Sequence, residues 1–206
     1  MMQPITFSHY PHGYEGKDGR PVPNNQTDGH WTLPQTYAYV TSEKPKAITL
    51  ELRRMVDFRL SHPEEQDIEN REKNYKMLRF EHVTFGGCFY YRRAQDLTQA
   101  SGLMTIDIDG LSTMEEARQV QQTLIRDRRL ETALCFISPR GRGVKWVVVI
   151  PPSEEPQTFR EAFDHIYNYL LFEYGIVADA SGSDICRSCF LPWDEQCYIN
   201  PKFLSE

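Results

Sequence analysis

The chain has 206 residues, 40% of them hydrophobic and 12% aromatic, with a formal net charge of −6 and a pI near 5.6. Such length and apolar content describe one large globular domain able to bury a core, and exclude a disordered or fibrous chain. The acidic balance excludes a protein that coats nucleic acid through bulk charge, so any nucleic-acid contact has to be local. The opening MMQPITFSHYPHG has no basic start followed by an apolar core. No run approaches the roughly 18 apolar residues of a membrane span, and the expected compartment is the cytoplasm, with no membrane partner. Five cysteines without a secretion signal read as reduced thiols. Cys186 and Cys189 form a C-x-x-C with Cys197 nearby, but CRSCFLPW reads as a strand, in which positions three apart face opposite sides. No second ligand pair has matching spacing, so the cysteines read as structural and no zinc is expected.

In chain order, residues 1–45 hold six of the 13 prolines and four of the 12 glycines. After a strand-like ITFSHY they read as loops rather than a regular layer. Segments 48–59 and 64–78 read as two polar, moderately amphipathic helices, and FEHVTFGGCFYYRR as a strand ending near Arg92 and Arg93. From residue 102 the pattern sharpens. GLMTIDID is a strand with Met104, Ile106 and Ile108 on one face and two acids on the other. A helix follows, announced by a capping box of Ser112 and Glu115 and carried by Met114, Ala117, Val120 and Leu124. TALCFIS and, after the turn PRGRG, GVKWVVVI are the next strands. A helix from about Glu154 to Tyr174 carries Phe159, Phe163, Ile166 and Leu170 on one stripe, with Gly175 placed to stop it. RSCFLPW completes the series as a fourth strand. The fold class is α+β: a βαββαβ module of the ferredoxin-like or RRM-like kind over 102–200, preceded by an irregular segment (1–45) and a helical and strand extension (46–101) within one domain, 1–206.

Asp107 and Asp109 raise the functional question. Two apart on one strand, they project from the same face at roughly 7 Å between Cα atoms. Like charges so placed repel unless a cation lies between them, and hard oxygen ligands suit Mg²⁺ or Mn²⁺. The competing reading is a strand running into an Asp-Gly turn, with both acids solvated. In the usual antiparallel strand order 4-1-3-2, the end of the first strand meets the start of the third, with Arg142 and Lys145, and the approach to the fourth, with Asp179 and Asp184. Two acids on one strand and a third from elsewhere are what a two-metal phosphoryl-transfer site needs. SPRGRGVK adds glycines, two guanidiniums and an ammonium suited to an anion. It lacks the P-loop spacing, so no ATPase activity of its own is expected.

TIDIDGL resembles motif I of the archaeo-eukaryotic primase superfamily, an Asp-x-Asp/Glu on a strand of an RRM-like catalytic module. SPRGRGVK resembles its motif II, and VADASGSDICRSCFLPWD its motif III, an acid ahead of an Arg-containing strand. VTFGGCF before the Asp-x-Asp strand, with D…SGSD…R…F…D…YINP after it, is similar to the primase-like N-terminal domain found ahead of VirE-type helicase modules in bacterial mobile elements and phages. The resemblance covers about residues 48–201. It implies a DNA primase or primase-polymerase working by two-metal phosphoryl transfer. Asp107 and Asp109 would be metal ligands, with Asp179 or Asp184 as the third; Ser138, Arg140, Arg142 and Lys145 would hold the incoming triphosphate, and Arg187 would contact nucleotide or template phosphate. Many superfamily members have His where this chain has Lys145, a point charge that still suits phosphate. The implied partners are a single-stranded DNA template, nucleoside triphosphates and a helicase or ATPase module in cis or trans.

Arg53, Arg54, Arg92 and Arg93 are candidate template-phosphate contacts, each also readable as a solvated surface charge. Trp146, in phase with Val144 and Val148, reads as core, as does Trp193. The six histidines show no ligand spacing, and no His-x-His pair supports a nicking enzyme. A non-catalytic nucleic-acid-binding or replication-initiation module with the same fold is the alternative function. An RRM-like interaction domain fits less well, because the aromatic RNA-binding signature is missing from the strands.

Overall fold

The computed structural model describes residues 4–153 and 155–204. In chain order the strands and helices are β1 (Thr6–Tyr10), β2 (Tyr14–Glu15), β3 (Pro21–Val22), β4 (Gly29–Thr32), α1 (Leu33–Thr41), α2 (Lys46–Ser61), α3 (Ile68–Arg79), β5 (His82–Thr84), β6 (Gly87–Phe89), β7 (Leu97–Ala100), β8 (Leu103–Ile108), α4 (Met114–Ile125), β9 (Thr132–Ile137), β10 (Val144–Val149), α5 (Pro156–Tyr174), β11 (Cys189–Phe190) and β12 (Tyr198–Ile199). The molecule is α+β with antiparallel sheets. Among the described residues, no helix is long and apolar enough to cross a membrane.

Two four-stranded sheets organise the packing, in the orders β11-β5-β1-β4 and β12-β9-β10-β8. Side-chain alternation divides β8 and β10 between two cores. Met104, Ile106, Ile108, Val144, Trp146 and Val148 pack under α4 and α5. Leu103 and Val147 turn the other way, towards Phe7 and Val83 of the first sheet and Phe85 just past its edge. Asp107 and Lys145 share that second face, at the end where the apolar packing stops. Trp146 is fully buried and donates its indole N–H to Thr132 Oγ1 at 2.8 Å, as a core residue should.

The helix–strand pattern after residue 102 holds. α5 buries Phe159, Phe163, Ile166 and Leu170 and stops at Gly175, whose φ of 65° lets the next amide, that of Ile176, reach back to the Leu170 carbonyl. Glu154, where the sequence places the start of that helix, lies outside the described residues. The α4 cap is one residue later than the spacing predicts: Thr113 accepts from the Glu116 amide, and the Glu116 carboxylate accepts from the Ser112 amide. Strands β8, β10 and β9 take the expected 1-3-2 order, with Lys145 directly opposite Asp107.

Three expectations need correction. RSCFLPW does not join β8; β11 pairs with β5 of the other sheet, because Cys189 and Leu191 complete the inter-sheet core beside Val83 and Phe85. The outer edge of β8 is covered instead by the turn of Ala180–Ser183, where the Asp179 amide donates to the Asp107 carbonyl at 2.7 Å. Residues 1–45 are not merely loops. They supply β1 and β4 of the first sheet and helix α1, which a Thr32/Gln35 capping box and an early Pro34 start. FEHVTFGGCFYYRR is two short strands in different sheets. The break is at Gly86, where a Cβ would lie 2.3 Å from the Ile185 carbonyl oxygen.

His82, on β5, is 2% exposed, stacks on Tyr10 at 4.9 Å, and neither ring nitrogen has a hydrogen-bond partner. Burial, aided by the charges of Arg92 and His9, pushes its pKa from 6.5 down to about 3. The folded state therefore keeps it neutral while the unfolded chain takes up a proton, and stability falls as pH drops below about 6.5, by up to ~1.4 kcal/mol per unit. Urea unfolding at pH 7 and pH 5 is expected to show about 2 kcal/mol more loss for the native chain than for His82→Phe. Equal losses would remove His82 as the cause.

Candidate metal and anion site

Asp107 lies near the end of β8 and is 5% exposed; Asp109, just past the strand, is exposed. Asp179 comes from the segment along the edge of β8, fixed by its amide bond to the Asp107 carbonyl. One carboxylate oxygen from each of the three falls within 4.8 Å of the others. Asp107 Oδ1 is buried without a hydrogen-bond partner, a costly condition for a carboxylate oxygen unless something cationic approaches it. Three convergent carboxylates with one orphaned oxygen fit a hard divalent cation.

The other polar groups fix these acids. Lys145 forms an ion pair with Asp107 across the ladder. Burial would push the Lys145 ammonium down, but Asp107 and Asp109 overcome it and hold it charged above its usual range. Asp179 accepts from the Ser181 amide at 2.9 Å and hydroxyl at 2.6 Å, and from Arg187 at 3.2 Å. Burial opposes them, yet these donors keep its carboxyl below the ordinary range.

The 138–143 turn closes the site. The Ser138 amide donates to the Gly143 carbonyl at 2.8 Å, and the Gly141 amide to the Ser138 carbonyl at 2.9 Å. A Cβ at Gly143 would lie 2.4 Å from the Ile108 carbonyl oxygen and 2.8 Å from Asp109 Oδ1. Glycine there lets the turn press against the acids. Arg140 is held at 3.1 Å by the fully buried Glu72 of α3, which also accepts from Arg59 at 2.6 Å.

These groups open on a cavity of about 420 Å³ whose lining includes Asp107, Asp109, Ser138 and six basic side chains, Lys73, Lys76, Arg92, Arg140, Lys145 and Arg187. An acidic chain thus concentrates positive charge around a carboxylate cluster. Several candidate residues fall elsewhere. Asp184 turns away, accepting from the Cys186 amide and thiol, both at 3.1 Å, in a separate hollow with Arg160. Arg142 faces an adjoining cavity and lies 3.8 Å from Asp57. Arg53 turns inward to the Trp193 carbonyl at 3.3 Å. Arg54 lies beside Glu51 and Arg93 beside Asp96, both on the surface. Of those four arginines only Arg92 reaches the cavity, where Asn25 anchors it at 2.8 Å. Lys145 is turned to Asp107 rather than left free for phosphate, since burial demands a counter-ion for each.

The sequence reading missed Lys73 and Lys76. Their signal was the i,i+3 spacing within REKNYKML, which puts both on one face of α3. Residues 76–199 match the model of a family described as BT4734-like, N-terminal domain. No curated protein matches the chain, and no solved structure does.

Proposed function

We propose, from the premise that this chain belongs to the BT4734-like N-terminal domain family, that its cavity performs metal-dependent nucleotidyl transfer directed by a DNA template. The observation that carries this reading is the convergence of Asp107, Asp109 and Asp179 at a cavity whose lining sets Asp107 and Asp109 among six basic side chains. Carboxylates alone repel a triphosphate and basic residues alone repel a cation, whereas the combination suits a nucleoside triphosphate together with its metal. In this reading β8-α4-β9-β10-α5 is an RRM-like catalytic module lacking its usual fourth strand, similar to primases and primase-polymerases of mobile elements.

Asp107, Asp109 and Asp179 would hold two Mg²⁺ or Mn²⁺ ions, which when bound would neutralise phosphate oxygens and favour the ionised 3′-hydroxyl. Arg140, braced by Glu72, and Arg187, braced by Asp179, present guanidinium groups to the triphosphate. Ser138 offers a hydroxyl at the mouth of the turn. Lys145 orients Asp107, and its charge opposes the burial that raises that carboxyl above its ordinary range. Arg92 borders the cavity from the N-terminal side, where a template phosphate would pass. A helicase or ATPase module, in cis or trans, would supply the single strand.

One observation favours a second reading. Lys145 already neutralises Asp107, which suits a non-catalytic nucleic-acid-binding module that no longer takes a full metal complement. Template-directed incorporation with Mg²⁺ or Mn²⁺, with and without a primer, separates the two. Incorporation by the native chain and its loss in a folded Asp107→Ala/Asp109→Ala variant is the expected result, and primer dependence would distinguish extension from priming. A folded native chain that binds single-stranded DNA without incorporating nucleotide would favour the binding module.

A further inference from the structure

The cations of the cavity are not equivalent. Lys145 is paired with Asp107, Arg187 with Asp179 at 3.2 Å, Arg140 with Glu72 at 3.1 Å and Lys73 with Glu69 at 2.8 Å. Arg92 is engaged by Asn25 and by the Cys186 carbonyl. Lys76 differs: among the described residues its ammonium makes no ion pair and no hydrogen bond. It lies 5.0 Å above the centroid of the Phe190 ring, half-buried, on the wall of the cavity facing the acids.

A half-buried ammonium without an anion is unfavourable, because its desolvation is not offset by a partner. Burial, with the nearby charges of Arg140 and Lys145, outweighs the opposing pull of Asp109 and Asp107 and pushes its pKa from 10.5 down to about 8. An anion entering the cavity meets in Lys76 an ammonium with no carboxylate within ion-pair distance, whereas Lys145, Arg187 and Lys73 each already have one. α3, from which the lysine projects, is held in place. Glu72, one turn earlier on the same helix, is locked to Arg59 and Arg140, and the Met77 carbonyl is tied to the Gly13 amide at 2.8 Å.

We propose that Lys76 is a further substrate-binding residue, contacting the polyphosphate of the incoming nucleotide, so that the site selects nucleoside triphosphates over monophosphates. This rests on the nucleotidyl-transfer reading above and adds that α3, which precedes the strand carrying the acids, forms one wall of the site. The terminal phosphates bring the additional negative charge, and a monophosphate leaves the lysine without a counter-ion.

Titration calorimetry of the full chain with dATP, dADP and dAMP in Mg²⁺ tests it. The native protein is expected to bind in the order dATP, dADP, dAMP. Lys76→Met, which keeps an unbranched apolar stem, is expected to weaken dATP about tenfold, the effect of one charge-assisted contact, while moving dAMP far less. Lys76→Arg should recover most of the loss, and in incorporation assays KM should rise more than kcat falls. Thermal melts confirm that each variant is folded. If the native chain binds dATP and Lys76→Met binds it equally well, this inference fails and the nucleotidyl-transfer reading stands. If the native chain binds none of the three, both fail.

Discussion

Replacing Asp109 by Asn is expected to lower template-directed incorporation roughly 1000-fold, the several kcal/mol of charge stabilisation that a correctly held cation supplies. Asp109 is exposed, and among the described residues its side chain makes no hydrogen bond, so the variant should melt within a few degrees of the native chain. That separation of activity from stability makes it more informative than the Asp107 substitution. Asp107 is the buried partner of Lys145, and its removal leaves an unpaired ammonium at a cost of about 3–5 kcal/mol. Asp184→Asn is the matched control. Asp184 is five residues from Asp179 in sequence but points into a different hollow, so its loss should leave incorporation nearly unchanged. Equal losses for Asp109→Asn and Asp184→Asn would indicate a generic effect of surface charge.

A stability effect as large is expected at Asp194, which is not in the lining of the cavity. It is 1% exposed and accepts four hydrogen bonds: two from Arg118, at 3.1 and 2.5 Å, one from the Ile137 amide at 2.8 Å, and one from the Gln196 amide at 3.1 Å. One carboxylate thus ties α4 to the end of β9 and to the approach of β12. Asp194→Ala leaves the Arg118 guanidinium without its counter-ion and the Ile137 amide without an acceptor, and is expected to cost about 3–5 kcal/mol. For a chain of this size the melting temperature should fall by about 10 °C or more. Ile137 immediately precedes Ser138, so the 138–143 turn should loosen as well. A loss below about 1 kcal/mol in urea unfolding would mean that the Arg118–Gln121 contact at 2.9 Å is a sufficient substitute.

What the sequence revealed, and what it hid, follows from how local each signal is. Met104, Ile106 and Ile108 alternate with the acids, and Phe159 to Leu170 repeat at helical spacing. Both patterns are written in neighbouring residues and survive into the structure. The partner of RSCFLPW is not so written. Whether Cys189 and Leu191 pack beside β8 or beside β5 depends on a sheet built from residues 6–32, which loop-like composition obscured. The same long-range assembly explains the site. Asp107 and Asp109 were legible from period-two spacing. Asp179 and Asp184 are separated by geometry alone, through the amide bond from Asp179 to the Asp107 carbonyl. Lys76 became a wall of the cavity only when α3 packed across from β8. Arg53, by contrast, looked available in sequence and proved to be turned inward.

Mn²⁺ binding, followed by the electron-paramagnetic-resonance signal of the free ion, asks whether the three converging carboxylates hold a cation at all. The native chain is expected to remove Mn²⁺ from solution and Asp109→Asn to weaken this at least tenfold, with Asp184→Asn unchanged. Mn²⁺ that stays free in the presence of the native chain, or that is bound equally by the native chain and Asp109→Asn, would contradict cation binding by the three carboxylates.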